Sequence, residues 1–329
     1  MGLPKYRGRP SRAVARSRAL RPHFRTSRIA RGAWAAIAED GGYSLCNAGI
    51  IDLGGLTVVF DSMLTPMAGS HLAREARRRT GRGADLVVNS HWHGDHIRGN
   101  ASLRPALVVS TEKTRDLIAT LGPKQWADDR KTMGAALRDL DSASTDVPAN
   151  ERALYRGWFE GTLAVPLPFS PVPPSLTFET ELRIHGTQRE LRILTFGGGH
   201  SPSDVFAYLP EERVVFLGDL LSVGLHPSAG DGVPWRWAQI LRRIRAFGVE
   251  VAVPGHGPVG SDREIRQIEG YLHHLDRRAG AARRAGRSLA ELRREPMPES
   301  FRAWKFSAFY GENLARAYRF ERPKGSPVS

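Results

Sequence analysis

The sequence predicts an α/β fold in which short apolar strands end in residues that bind metals. Strand and helix patterns alternate along the first half of the chain, as in α/β domains. Residues 85–100, DLVVNSHWHGDHIRGN, join one apolar strand to a loop with three histidines and an aspartate. Three later apolar strands are also followed by a histidine or an aspartate. These observations indicate a metal site built at strand ends.

The composition is typical of a globular protein. Hydrophobic residues make up 41% of the chain and charged residues 25%. No run of 18 apolar residues occurs, so we expect no membrane span and a cytoplasmic protein. The single cysteine, Cys46, excludes an internal disulfide and a cysteine-rich zinc site, which leaves histidines and carboxylates as metal ligands.

The net charge of +14 is concentrated at the amino terminus. Residues 1–32 contain ten Lys or Arg residues and no acid, together with several prolines and serines. Without apolar periodicity, this leader is predicted to be disordered. The alternatives are a basic arm for nucleic acid or an anionic membrane, a transit peptide, or an upstream-start extension without function. The segment lacks interleaved aromatic residues, so we expect no stable nucleic-acid partner.

The folded chain is predicted to begin near Ala33. Residues 43–53 and 55–60 read as strands joined at Gly54-Gly55, and a helix follows over residues 67–80. Residues 111–166 show a weaker helical pattern and are interpreted as a mostly helical insert. Further predicted strands cover residues 86–89, 107–110, 176–178, 181–185, 191–196, 205–209, 213–217 and 250–253.

Residues 263–329 are predicted to form a C-terminal helical extension. Ser261 and Asp262 provide an N-cap signal for its first helix. Its aromatic residues are expected to pack the last helix on the domain or on a second subunit, which makes a homodimer one expectation. They are Phe301, Trp304, Phe306, Phe309 and Tyr310.

The loop after residue 90 has the spacing of a metal site. Alternation along an extended backbone places His91 and His93 on one side, where their ring nitrogens can converge on one ion. Asp95 and His96 follow as the chain turns and can face a second ion. Asp61, at the end of an earlier strand, is either a carboxylate that orients a metal ligand or a turn residue.

Three more residues of ligand type stand at later strand ends. His200 lies in GGGHSPSD, Asp219 ends VVFLGD, and His256 lies between two glycines in PGHGP. Near Asp219, a pocket wall or proton donor is expected among His226, Asp231 and Trp235, with helix-start packing as the alternative. Trp92 is another pocket candidate, or a plug against the core.

With this motif set in this order, residues 33–262 resemble the metallo-β-lactamase-fold hydrolases. The resemblance implies a four-layer αββα sandwich with two metals in a cleft at one edge of the sheets. It implies that His91, His93 and His200 bind the first metal, and that Asp219 bridges both. The second metal would be held by Asp95, His96 and His256. Zinc is expected, with iron or manganese as alternatives.

The resemblance also limits the substrate. An aspartate at position 219 is similar to glyoxalase II, lactonases and related esterases and thioesterases, whereas the commonest β-lactamases have a cysteine there. We therefore expect a small-molecule hydrolase that attacks an ester, thioester or lactone carbonyl with a metal-bound hydroxide, which Asp95 orients as the catalytic residue. The alternatives are a mononuclear iron persulfide dioxygenase, β-lactam hydrolysis as a side activity, and nucleic-acid binding through the leader.

Overall fold

Two β-sheets packed face to face form the centre of the computed structural model, which describes residues 22–321. The first sheet contains, in spatial order, β1 (Phe24–Ala30), β2 (Ala33–Ala38), β3 (Ala48–Asp52), β4 (Thr57–Phe60), β5 (Leu86–Val88), β6 (Leu107–Thr111) and β7 (Leu176–Phe178). The second sheet contains β8 (Glu181–His185), β9 (Glu190–Thr195), β10 (Val205–Leu209), β11 (Val214–Phe216) and β12 (Val251–Val253).

Parallel pairing brings several strand ends to one edge of the sandwich. In the first sheet β4 pairs in parallel with β5, and in the second sheet β11 pairs in parallel with β12. The chain leaves β4 at Asp61, β5 just before His91, β11 just before Asp219 and β12 just before His256. The predicted metal ligands therefore leave their strands on the same side of the fold.

The core between the sheets consists of small and branched apolar side chains. Val88 of β5 faces this core with Phe216 and Ile193 of the second sheet. Val87, its neighbour, points to the opposite face and packs among the side chains under a helix. The continuous apolar run in β5 thus reflects burial on both faces, as expected for a parallel strand.

Helices cover the outer face of each sheet. On the first sheet lies α1 (Pro66–Thr80), which Thr65 caps by accepting a hydrogen bond from the Ala68 amide and which ends at Gly81 with φ 78°. On the second sheet lie α6 (Pro234–Arg245) and α7 (Asp262–Arg284). The layers are helix, sheet, sheet, helix, so the predicted αββα sandwich is confirmed.

Three helices occupy the region predicted as an insert. They are α3 (Glu112–Thr120), α4 (Gly122–Asp141) and α5 (Arg152–Ala164). A four-residue helix, α2 (Gly94–Ile97), lies inside the histidine motif and turns Asp95 and His96 away from the direction of β5.

The C-terminal region combines a layer of the sandwich with an added helical cluster. α7 covers the second sheet, and α8 (Leu289–Arg293), α9 (Glu299–Arg302) and α10 (Phe309–Arg319) follow. The aromatic side chains of this region pack within the chain, Tyr310 against α7 and Phe306 against the helical insert. The homodimer stays a prediction.

The prediction of a disordered leader up to residue 32 is wrong for its last part. β1 pairs antiparallel with β2, and the ring of His23 is buried, with its Nδ1 accepting a hydrogen bond from the Tyr43 amide. Arginines and small polar residues on an edge strand keep contact with water, which concealed the strand in the sequence. The rest of the leader, residues 1–21, lies outside the described part of the chain.

Across residues 22–321, no helix has the length and apolar character needed to cross a membrane.

His226 lies in the packing of the C-terminal helices. Its Nδ1 is 3.1 Å from the Tyr271 hydroxyl, and its Nε2 is 3.1 Å from the carbonyl oxygen of Phe301. Burial lowers the pKa of His226 to about 4, so the ring is neutral at neutral pH.

We expect His226→Ala to lower the free energy of unfolding by roughly 2–3 kcal/mol, because the variant leaves a cavity and unpaired polar groups. Denaturant unfolding measures this loss. His185→Ala, at an exposed position, is a control that should change stability by less than about 0.5 kcal/mol. Unchanged stability would contradict the structural role assigned to His226.

Candidate metal centre

The seven predicted ligands converge at the edge where the parallel strands end. One group is formed by His91, His93, His200 and Asp219 and the other by Asp95, His96 and His256. Within each group the candidate ligand atoms all lie within 4.8 Å of one another. Sequence positions 165 residues apart are thus brought to one site.

Asp219 lies between the two groups. Its Oδ2 is 3.4 Å from His200 Nε2, while its Oδ1 is 3.1 Å from His96 Nε2 and 3.3 Å from His256 Nε2. One oxygen therefore faces each group, which is the arrangement expected of a bridging carboxylate. Gly255 makes room for it, because a Cβ there would lie 2.0 Å from Asp219 Oδ1.

A buried network fixes the orientation of His91 and His96. Asp61 Oδ1 accepts a hydrogen bond from the Ser90 amide at 2.7 Å, and Asp61 Oδ2 accepts hydrogen bonds from the Ser90 hydroxyl and His96 Nδ1, both at 2.7 Å. The Ser90 hydroxyl also lies 2.9 Å from His91 Nδ1. With Nδ1 protonated on both rings, each Nε2 keeps a free lone pair.

His93 and His256 have outward-facing partners as well. His93 donates from Nε2 to Asp231 Oδ2 at 2.9 Å, and its Nδ1 lies 3.1 Å from His200 Nε2 inside the site. His256 donates from Nδ1 to the carbonyl oxygen of Leu45 at 3.1 Å, so its Nε2 faces the carboxylates. These contacts leave one lone pair of each ring directed at the site.

The glycine-rich loop presents His200 through a buried aspartate. Asp204 accepts hydrogen bonds from the backbone amides of Gly199, His200 and Ser201, at 2.7, 2.9 and 3.1 Å. The ring of His200 packs edge-on against Trp237, with ring centroids 5.3 Å apart. The loop is therefore a support for a ligand rather than a phosphate-binding loop.

The buried polar atoms of the site fit a bound cation. Among the described residues, His91 Nε2, His96 Nε2 and Asp219 Oδ1 are buried and lack a hydrogen-bond partner. Buried polar atoms of native proteins are seldom unpaired, and these three belong to residues of the two candidate ligand groups. Nitrogen and carboxylate donors are those that zinc and similar divalent ions use.

The electrostatics of the site also favour positive charge. Burial lowers the pKa of His200 to about 4, so this ring is neutral and free to bind a metal. Burial acts in the same direction on His256, but Asp219 and Asp95 outweigh it and raise the pKa of His256 to about 10. The carboxylates thus attract a cation at this position, and metal binding there would displace a proton.

The four residues predicted to form the pocket lie in different parts of the structure. Asp231 lies at the site, where it holds His93. Trp92 is buried with Ile97, Leu117 and Ile118, which matches the alternative of a core plug. The prediction for His226 is wrong, because this ring is buried among the C-terminal helices. Trp235 is half-buried and does not line the metal cleft.

The cleft above the ligands has a volume of about 190 Å³. Metal ligands, side chains of the helical insert and side chains of the C-terminal region line it. Sequence reasoning did not assign roles to Ser90, Asp204 or the Leu45 carbonyl. Ser90 and Asp204 stand next to ligand motifs, which is the one signal that pointed to them.

Comparisons with known proteins agree with this geometry. The family model described as the metallo-beta-lactamase superfamily matches residues 41–256. The linear primary-alkylsulfatase of Pseudomonas sp. (strain ATCC 19151) is 24% identical over 213 residues, which are 59% of this chain and 38% of that protein. The chain thus spans well under half the length of this relative.

Solved metallo-beta-lactamases share the fold at low sequence identity. One from Pontibacter korlensis aligns with a TM-score of 0.54 and 18% identity over 76% of this chain and 99% of its own. The DIM-1 metallo-beta-lactamase exposed to ceftazidime aligns with a TM-score of 0.55 and 15% identity over 77% of this chain and 98% of its own. The family match covers more than half of the chain and contains all seven candidate ligands, so the chain belongs to the metallo-β-lactamase superfamily.

Proposed function

We propose that the protein is a hydrolase that uses two divalent metal ions to cleave an ester, thioester or lactone. The position of Asp219 carries this proposal, because its two oxygens face two separate groups of ligands. The complete second group, Asp95, His96 and His256, favours two ions over the mononuclear iron centre of a persulfide dioxygenase.

Zinc is the metal we propose for both positions. The first group offers three imidazoles and one carboxylate oxygen, and the second offers two imidazoles and two carboxylates. Such nitrogen and oxygen donors suit zinc, and iron or manganese are the alternatives. When bound, two such ions lower the pKa of a water molecule between them and polarise the bond to be broken.

Asp95 is the residue we assign to orienting the attacking water. It lines the cleft, and its Oδ2 is 3.3 Å from His256 Nε2 and 3.5 Å from His96 Nε2. A carboxylate at this place accepts a hydrogen bond from water and fixes its direction of attack. Cys46 is fully buried, with its thiol 2.9 Å from the Asp95 carbonyl oxygen, so it is placed to support the motif and not to attack a substrate.

A sulfate ester is a second candidate substrate. The similarity to a protein named linear primary-alkylsulfatase favours it, and the oxygens of a sulfate ester would be donors for the same metal ions. The aspartate at position 219 favours the ester, thioester and lactone group over a dedicated β-lactamase, so β-lactam hydrolysis is proposed only as a side activity.

Metal quantification together with a substrate panel tests the proposed function. Purified protein should contain about two transition-metal ions per chain and should hydrolyse at least one carboxylic ester, thioester or lactone faster than a β-lactam, a phosphodiester or an alkyl sulfate. Less than one tightly bound ion per chain, or oxygen consumption with glutathione persulfide without any hydrolysis, would overturn it.

Asp95→Asn should keep much of the bound metal and lose at least about a hundredfold in kcat, because the amide still offers an oxygen ligand but orients water poorly. Metal content by mass spectrometry and steady-state kinetics on the same sample measure both. An equal loss of metal and turnover would contradict the role given to Asp95.

Zinc affinity should change to different extents when the carboxylates of Asp61 and Asp231 are converted into amides. Both oxygens of Asp61 accept hydrogen bonds. In Asp61→Asn one of the two positions becomes an NH2 donor, which opposes either the Ser90 amide at Oδ1 or the Ser90 hydroxyl and His96 Nδ1 at Oδ2. In Asp231 only Oδ2 accepts the hydrogen bond from His93. The side chain of Asp231→Asn can therefore rotate until its amide oxygen accepts this bond. We therefore expect a 10- to 100-fold weaker zinc affinity in Asp61→Asn and near-normal affinity in Asp231→Asn.

Competition with a chromophoric chelator measures these affinities, and Asp231→Ala serves as the matched variant that should lose roughly tenfold. Equal affinities in Asp61→Asn and the wild type would show that the buried network does not support the metal ligands.

A further inference from the structure

We propose that the substrate carries an apolar acyl or alkyl chain that binds along one side of the metal cleft. The inference rests on the proposed function in placing the reacting bond at the metal ligands. It adds that the substrate is recognised through an apolar chain, and it names the residues that contact this chain.

One side of the cleft is a continuous apolar surface, here called the aromatic wall. It consists of Leu45, Leu64, Trp158, Phe306 and Phe309. These side chains line the same cleft as the metal ligands and belong to one hydrophobic cluster. A group attached to a bond at the metals would therefore have this surface within the same cleft.

The aromatic wall is assembled from separate parts of the chain. Leu45 precedes β3, Trp158 comes from α5 of the helical insert, and Phe306 and Phe309 come from the C-terminal region. The ring of Phe306 lies 5.3 Å from that of Phe309 and 6.4 Å from that of Trp158, between centroids. Elements outside the two sheets thus meet over the metal ligands and determine what fits there.

Phe306 is held in a conformation that an aromatic residue rarely adopts. Its φ is 59°, in the left-handed region. Backbone contacts next to it enforce this conformation, since Lys305 N donates to Gly224 O at 3.0 Å and His226 N donates to Lys305 O at 2.8 Å. Strained residues cluster at ligand-binding sites, and here the strain directs an aromatic ring to the cleft.

The wall keeps apolar surface in contact with the cleft. Trp158 and Phe309 are half-buried, whereas the neighbouring Phe306 and Leu64 are buried. A wall that served only to join the insert to the C-terminal region would bury all these side chains. The half-buried rings offer apolar surface that a bound chain would remove from water.

Polar side chains also line the cleft. They include Arg98, Gln125 and Asp129. Arg98 and Asp129 form an ion pair, and the guanidinium of Arg98 also lies 4.9 Å from the ring centre of Trp126. Arg98 is buried, whereas Gln125 and Asp129 are half-buried. An apolar chain against these two residues would remove polar groups from water without pairing them, so the aromatic wall offers it the more favourable contact.

Binding of straight-chain carboxylates to the metal-loaded protein tests this inference without turnover. We expect the affinity, measured by calorimetry from butyrate to decanoate, to rise roughly fourfold for each added methylene until the wall is covered. Phe309→Ala and Trp158→Ala should each reduce this increment by at least half, with metal content and thermal unfolding measured on the same samples.

Phe320→Ala is the matched control. Phe320 comes directly after α10, the helix that Phe309 begins, but it is exposed and does not line the cleft. It should leave the increment unchanged. Affinity that does not depend on chain length, or an equal effect of Phe309→Ala and Phe320→Ala, would overturn the inference. Chain-length-dependent binding without hydrolysis of any ester, thioester or lactone would support the wall and contradict the proposed function.

Discussion

The carboxylate of Asp219 is the group on which the rest of the site depends. Its oxygens are 3.1–3.4 Å from three different imidazoles, a spacing that suits atoms that share a cation. Gly218, with φ 50°, and Gly255 allow the backbone to hold this side chain at the end of β11. The remaining ligands are brought to it by the ends of β5 and β12 and by the loop before β10.

Hydrogen-bond partners behind the ligands offset the energetic cost of burying so many polar groups. Asp61, Ser90 and Asp204 take up the hydrogen bonds that the imidazoles and the loop amides direct away from the centre. Buried charge without such partners would be expensive. Three unpaired buried atoms, His91 Nε2, His96 Nε2 and Asp219 Oδ1, belong to the candidate ligand groups, where a cation would satisfy them.

The ligands were predictable from the sequence because metal sites need specific residue types at short spacings and at strand ends. The spacing of His91, His93, Asp95 and His96 identified the site, and His200, Asp219 and His256 completed it. The position of Asp61 at a strand end suggested its orienting role, which matches its contacts with Ser90 and His96. The αββα layers followed from the resemblance that these residues carry.

Other features depend on contacts between distant segments, which the sequence pattern does not reveal. β1 was missed because its arginines on an exposed edge resemble a disordered leader. His226 was misplaced because a histidine near a motif has the same sequence signal whether it faces a cleft or a helix. The aromatic wall joins residues 45, 64, 158, 306 and 309, and only the tertiary fold brings them together.

Magnetic coupling between two bound ions tests the central claim most directly. Protein loaded with two equivalents of cobalt(II) should show the electron paramagnetic resonance of a spin-coupled pair, because Asp219 would bridge ions held in adjacent groups. Replacing Asp219 by alanine should abolish the coupling. Two uncoupled cobalt signals in the wild-type protein, or binding that stops at one ion, would contradict a bridged two-metal centre.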